Sequence, residues 1–215
     1  MSRALGPAAR AWPRAAAALG LAAALGVAAA TPPGAAAQGG GDPARGEALF
    51  TAKQCARCHR PGAQGIGPPL EALRRPQGAY ELAGRMWNHA PGMFTVLVQE
   101  QIPWPTIAQP EMTDLMAYLH ADEGRDPRVD PARGRVLLVA KGCLKCHAWR
   151  GEGARVGPEL SQRRETLAPA SRWAATLWGH APRMAQVAIA REVLYPRFSG
   201  DEMAQLIGFL RAGNP

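Results

Sequence analysis

Cys55-Ala56-Arg57-Cys58-His59 and Cys143-Leu144-Lys145-Cys146-His147 hold all four cysteines of this 215-residue chain, and they stand 88 residues apart. The surroundings repeat with them. Asp42-Pro43-Ala44-Arg45-Gly46 returns as Asp130-Pro131-Ala132-Arg133-Gly134, also after 88 residues. Gly67-Pro68 returns as Gly157-Pro158 after 90, so the loop behind the second pentad carries two extra residues. Trp87, His89, Ala90, Pro91 and Met93 return as Trp178, His180, Ala181, Pro182 and Met184 after 91. Trp104-Pro105 and Glu111-Met112 return as Tyr195-Pro196 and Glu202-Met203 at that same offset. A period that drifts only in loops marks a duplicated unit. One copy is read as residues 42–121 and the other as 130–215, with the charged, proline-containing segment 122–129 as a linker.

Ahead of the repeat, residues 1–37 read as an export signal. Arg3, Arg10 and Arg14 stand without a nearby acid, and Ala15 to Ala30 is an unbroken apolar run of 16 residues. Thr31-Pro32-Pro33-Gly34 then breaks any helix, and Ala35-Ala36-Ala37 offers an A-x-A cleavage site before Gln38. The competing reading is an uncleaved membrane anchor, for which 16 weakly apolar residues fall short of the ~20 that span the hydrocarbon. The expectation is an exported, periplasmic chain with no membrane span after cleavage. Of the net charge of +8, three arginines leave with the signal, so the remainder carries +5. Its basic residues are scattered and form no run of five or six, which excludes a nucleic-acid-binding tract. With 47% apolar and 20% charged residues, the chain is not a disordered polar tract either.

Each copy reads as three helices joined by loops rich in glycine and proline, and no stretch alternates with period two. The fold class is all-α. The first helix is expected over Pro43–Lys53, with Asp42 as N-cap and proline at the first helical position. Its counterpart is Pro131–Lys141, with Gly142 as a left-handed C-cap. The third helix, Glu111–His120, places Met112, Leu115, Met116 and Leu119 at i, i+3, i+4 and i+7, as Glu202–Arg211 does with Met203, Leu206, Ile207 and Leu210. The second runs from about Ala79, or Ala170. Pro91 and Pro182 disfavour helical geometry in the residue before them, so it is expected to stop near His89, or His180, with a short helix resuming at the proline.

Cys-x-x-Cys-His is the attachment signature of c-type haem. Its two thiols can each form a thioether to one porphyrin, and the histidine that follows is placed to ligate the iron. A zinc knuckle would want further cysteine or histidine ligands in each copy. A redox dithiol would want a βαβ setting. Disulfides would suit an exported chain, but two identical pentads behind an export signal favour two haem c groups. Cys55, Cys58, Cys143 and Cys146 are the attachment candidates, and His59 and His147 the proximal ligands.

The other axial position has several contenders. Met86 becomes Leu177 in the second copy and so reads as a core residue. Met93 with Met184, and His89 with His180, occur in both copies, so the repeat does not separate them. A helix ending near His89 would leave Met93 in a loop crossing the porphyrin face, with His89 at the solvent edge or against a propionate. Trp87 and Trp178 are expected to pack beside the haem or to hydrogen-bond a propionate through the indole N–H.

Each copy resembles a class I cytochrome c domain, over residues 43–121 and 130–212. The pentad behind a first helix, the Gly-Pro after it and the closing helices EMTDLMAYL and EMAQLIGFL carry the resemblance. It implies two tandem domains, each a small helical wrap around one covalent haem. It also implies His59 with Met93, and His147 with Met184, as axial pairs. The chain departs from the family where many members place Met-Pro before the last helix. Here stand Ile102-Pro103 and Leu194-Tyr195, which keeps His89 and His180 as alternative distal ligands. The implied role is single-electron transfer between redox partner proteins, with no catalysis. The alternative is a small diheme oxidoreductase of peroxidase, thiosulfate or nitrite type with one labile distal ligand. Lys53, Lys141, Lys145, Arg57 and Arg60 flank the pentads as a candidate positive rim. Residues 43–121 carry +1 and residues 122–215 carry +5, so an acidic partner is expected at the second copy.

Overall fold

The computed structural model describes residues 40–62, 65–162 and 167–212; the expected export signal lies outside them. Eight α-helices form there: α1 (Pro43–Ala52), α2 (Cys55–Cys58), α3 (Leu70–Leu73), α4 (Ala79–Gln99), α5 (Gln109–Tyr118), α6 (Pro131–Ala140), α7 (Ala170–Ala190) and α8 (Glu202–Ala212). None is long and apolar enough to cross a membrane. The helices α1 and α6 start as expected. Asp42 accepts from the Ala44 and Arg45 N–H groups, and Asp130 from those of Ala132 and Arg133. Gly142 sits at φ +72° behind α6, while Gln54 takes the same left-handed position behind α1 at φ +64°.

Each half is built on a crossed helix pair, α1 on α5 and α6 on α8. Glycine allows the close approach. A Cβ on Gly46 would lie 2.1 Å from the Asp114 carbonyl oxygen, and one on Gly134 would lie 2.3 Å from that of Gln205. The crossings are tied by equivalent polar contacts: the Asp42 N–H donates to Asp114 Oδ1 at 2.7 Å, and the Asp130 N–H to Gln205 Oε1 at 2.6 Å.

Two short ladders interrupt the all-helical expectation. Gln77–Gly78 pairs in parallel with Ala121–Asp122. Ala148–Trp149 pairs antiparallel with Glu152–Gly153, turning through Arg150 and Gly151 at φ +53° and +84°. Positive φ at both central residues makes a tight hairpin turn. The two residues inserted behind the second pentad are thus absorbed in a hairpin.

The long helices depart most from the sequence reading. Helix α4 runs unbroken through Pro91 and α7 through Pro182; neither stops near the histidine. A proline inside a helix leaves the carbonyl four residues earlier without its donor. Those carbonyls belong to Trp87 and Trp178, and each finds a donor in the opposite half. Trp104 Nε1 donates to the Trp178 carbonyl at 3.1 Å, and the Tyr195 hydroxyl to that of Trp87 at 3.5 Å. The partners' rings also pack together, tilted by 30° with centroids 4.3 Å apart for Trp104–Trp178 and stacked with centroids 4.6 Å apart for Trp87–Tyr195. The tertiary donors replace the missing backbone one, so the helix continues.

These contacts lie along a seam where α4 packs on α7, and it has approximate two-fold symmetry. Segment 122–129 stitches the seam as well as joining the halves. Glu123 accepts from the Ala170 N–H at 2.8 Å at the start of α7, and Asp126 from the Tyr80 N–H at 3.0 Å at the start of α4. One chain segment therefore caps both long helices, neither of which has a capping side chain of its own.

Candidate haem-binding site

The short turn α2 places Cys55 and Cys58 in the lining of a cavity of about 340 Å³. His59 lies beside them, and Leu82, Met86, Ile107, Met112, Leu115 and Met116 make much of the apolar wall. No disulfide joins the four cysteines. Burial pushes the Cys55 and Cys143 thiols up to about 11, so both stay protonated at neutral pH, unlike the attacking thiolate of a redox dithiol. Among the described residues, no three His, Cys, Asp or Glu side chains gather as a metal-ligand cluster.

The imidazole of His59 is held by the loop behind it. Its Nδ1 donates to the Pro68 carbonyl at 3.0 Å, and His147 Nδ1 donates to that of Pro158 at 2.9 Å. This bond fixes the tautomer and leaves Nε2 as the nitrogen with a free lone pair, the arrangement usual for metal-bound histidine. The preceding glycine lets the loop come so close. A Cβ on Gly67 would sit 2.5 Å from His59 Cε1, and one on Gly157 would sit 2.4 Å from His147 Cε1. The Gly-Pro pair is thus the backing plate of the proximal histidine.

Helix α4 brings both distal candidates to the same cavity. Because it continues through Pro91, His89 and Met93 sit one turn apart on it, and both line the cavity. Met93 is not in a loop. His89 Nδ1 donates to the Arg85 carbonyl at 3.0 Å, which again leaves Nε2 uncommitted. The His59 and His89 rings face each other with centroids 6.0 Å apart and planes at 89°. In the second half His180 and Met184 sit one turn apart on α7, as His89 and Met93 do on α4. Burial pulls both His89 and His180 below the ordinary histidine value and favours neutral imidazole. Met184 packs half-buried against the core.

Trp87 and Trp178 are placed differently from the expectation. Their indole N–H groups donate to the Pro196 and Pro105 carbonyls at 2.7 and 2.8 Å and so are taken up within the seam. A propionate bond from either indole is excluded by that pairing. Trp178 does line the first cavity, with Pro105, so the second half closes the pocket of the first. Sequence reading also missed Arg85, a half-buried cavity residue that donates to the Ala72 carbonyl at 3.0 Å and to Gln77 Oε1. No motif surrounds it. The expected positive rim is largely neutralised: Lys53 pairs with Glu111 at 2.8 Å, Lys141 with Glu202 at 2.7 Å and Arg57 with Glu100 at 3.8 Å.

Two cysteines in the wall, an oriented imidazole and an apolar cavity fit a covalently attached porphyrin. Residues 43–122 match the family model for cytochrome c. That match supports one cytochrome c domain in this stretch, with covalently bound haem c and electron transfer as the role it implies. No curated protein matches the chain.

Proposed function

We propose that the protein is an exported, periplasmic diheme c-type cytochrome that passes single electrons between redox partner proteins. When bound, each haem c supplies a one-electron Fe(III)/Fe(II) couple. The observation that carries the count of two is the duplicated proximal arrangement. His147, Pro158 and Gly157 reproduce the contacts of His59, Pro68 and Gly67, with the carbonyl bonds at 2.9 and 3.0 Å and a Gly157 or Gly67 Cβ at 2.4 or 2.5 Å from Cε1, behind a second Cys-x-x-Cys-His. In this reading Cys55, Cys58, Cys143 and Cys146 carry the thioethers, and His59 and His147 present Nε2 from the proximal side. The apolar cavity wall keeps water from the metal, and the backing loop prevents the imidazole from turning. The partner-facing charge is expected on the second half, where the +5 of residues 122–215 favours an acidic partner.

Intact mass under denaturing conditions tests the proposal. The exported protein should weigh as residues 38–215 plus two haem groups, and the double variant Cys143→Ala, Cys146→Ala should keep one. A wild-type mass with no adduct refutes the cytochrome reading; one adduct refutes the diheme count. An N-terminus other than Gln38 refutes the cleavage site.

A further inference from the structure

Resting on the haem reading above, we propose that the iron in each half is held between two imidazoles, His59 with His89 and His147 with His180. In this arrangement Met93 and Met184 are wall residues. The spacing of the rings carries the argument. An imidazole nitrogen lies about 1.1 Å from its ring centre, and a metal–nitrogen bond to histidine is about 2.0 Å. Two rings sharing one metal ion from opposite sides therefore stand about 6.2 Å apart, centre to centre. The His59 and His89 centroids are 6.0 Å apart.

The orientation of the rings agrees with the spacing. Each of the two has its Nδ1 engaged by a backbone carbonyl, Pro68 for His59 and Arg85 for His89. Each therefore keeps Nε2 as the one nitrogen with a free lone pair. The unbroken helix supplies the rest. The case for Met93 depends on a loop after His89, and α4 has none there. On a continuous helix His89 and Met93 are about 6 Å apart along the axis, so only one of them can stand opposite His59. The histidine holds that place. In the second half the same pair returns by the repeat, with His180 on the unbroken α7 at the place His89 holds on α4.

The spectrum of the oxidised protein reads this directly. Bis-imidazole ligation gives a low-spin iron without the weak near-infrared thioether-to-iron charge-transfer band that a methionine ligand produces. Near-perpendicular imidazole planes also give a strongly anisotropic low-spin resonance. Met93→Leu and Met184→Leu should leave the spectra and both reduction potentials close to wild type. His89→Ala and His180→Ala should each turn one haem high-spin and open it to carbon monoxide. The potentials should lie below those of methionine–histidine cytochromes, because a thioether raises the potential. A thioether band in the wild type, or a high-spin haem in either leucine variant, overturns the assignment. These two readouts stand even if a histidine variant fails to accumulate. Haem is counted by mass on the same samples. Absence of covalent haem defeats the electron-carrier reading and the ligand pair together, whereas full loading with a thioether band defeats the ligand pair alone.

Discussion

Trp104→Phe removes one hydrogen-bond donor and leaves an aromatic ring in its place. Trp104 Nε1 serves the Trp178 carbonyl at 3.1 Å, the group that Pro182 leaves without an intrahelical partner. A buried acceptor deprived of its donor costs about 1–3 kcal/mol. Loosening the indole stack, whose centroids are 4.3 Å apart, adds about 0.5–1.5 kcal/mol. The variant should thus lose about 2–4 kcal/mol, a loss that a domain of ordinary stability survives. The decisive background is Pro182→Ala. An alanine there restores the N–H, so the Trp178 carbonyl gains a backbone donor in the helix. Trp104→Phe in that background should cost only the stacking part. The cycle should therefore show a coupling of about 1–3 kcal/mol between two residues separated by most of a half. Guanidinium denaturation of the haem-loaded protein, followed by helical circular dichroism, supplies the four stabilities. If Trp104→Phe costs the same in both backgrounds to within about 0.5 kcal/mol, the donor does not rescue the proline and this account of the unbroken helix fails.

Gly67→Ala should cost about 1–3 kcal/mol through overpacking, because the new Cβ would sit 2.5 Å from His59 Cε1. It should also alter the haem absorption spectrum; an unchanged stability and spectrum would show that the loop is not a rigid backing for the ring. Asp126 gives a pH signature. Burial raises its carboxyl to about 6, and its Oδ2 has no partner among the described residues, against about 3.9 in an unfolded chain. The raised value means that its contribution is fully present below about pH 4 and is lost as pH rises through about 6. Asp126→Asn should flatten that part of the stability profile, and a slope unchanged between pH 4 and 7 refutes the assignment.

What was legible in the sequence was local. Asp42 and Asp130 cap their helices because a carboxylate one residue before proline is a start signal that needs no tertiary partner. The closing helices follow their apolar spacing, and the pentads bring Cys55, Cys58 and His59 to one cavity because five consecutive residues span a single turn. What was not legible came from far along the chain. Pro91 reads as a stop to anyone who cannot see Tyr195, more than 100 residues later, at the carbonyl it leaves open. The role of Trp87 depends on Pro196 and that of Trp178 on Pro105. Glu123 and Asp126 look like ordinary linker charges until the two helix starts they serve are brought beside them. Tertiary donors overrode local rules at each of these places.

The same seam explains where the repeat drifts and where it holds. The offset between copies grows from 88 to 91 before the long helices begin, and stays at 91 from Trp87 through Met112. In a seam with two-fold symmetry, every contact is made twice with the roles exchanged. Trp87 donates to Pro196 while Trp178 donates to Pro105, and Tyr195 serves Trp87 while Trp104 serves Trp178. One inserted residue between the tryptophan and the Trp-Pro or Tyr-Pro of either copy would misplace a donor on one side and an acceptor on the other. Both proline-opened carbonyls depend on that spacing, as does the first cavity, which Trp178 and Pro105 help to close. The loop behind the pentad bears no such double constraint. Its two extra residues turn outward in an exposed hairpin, and the proline carbonyl still reaches His147 at 2.9 Å. The halves are therefore joined in structure as well as in sequence: each supplies the groups that keep the other's long helix intact, and that helix carries His89 and Met93 in one half and His180 and Met184 in the other.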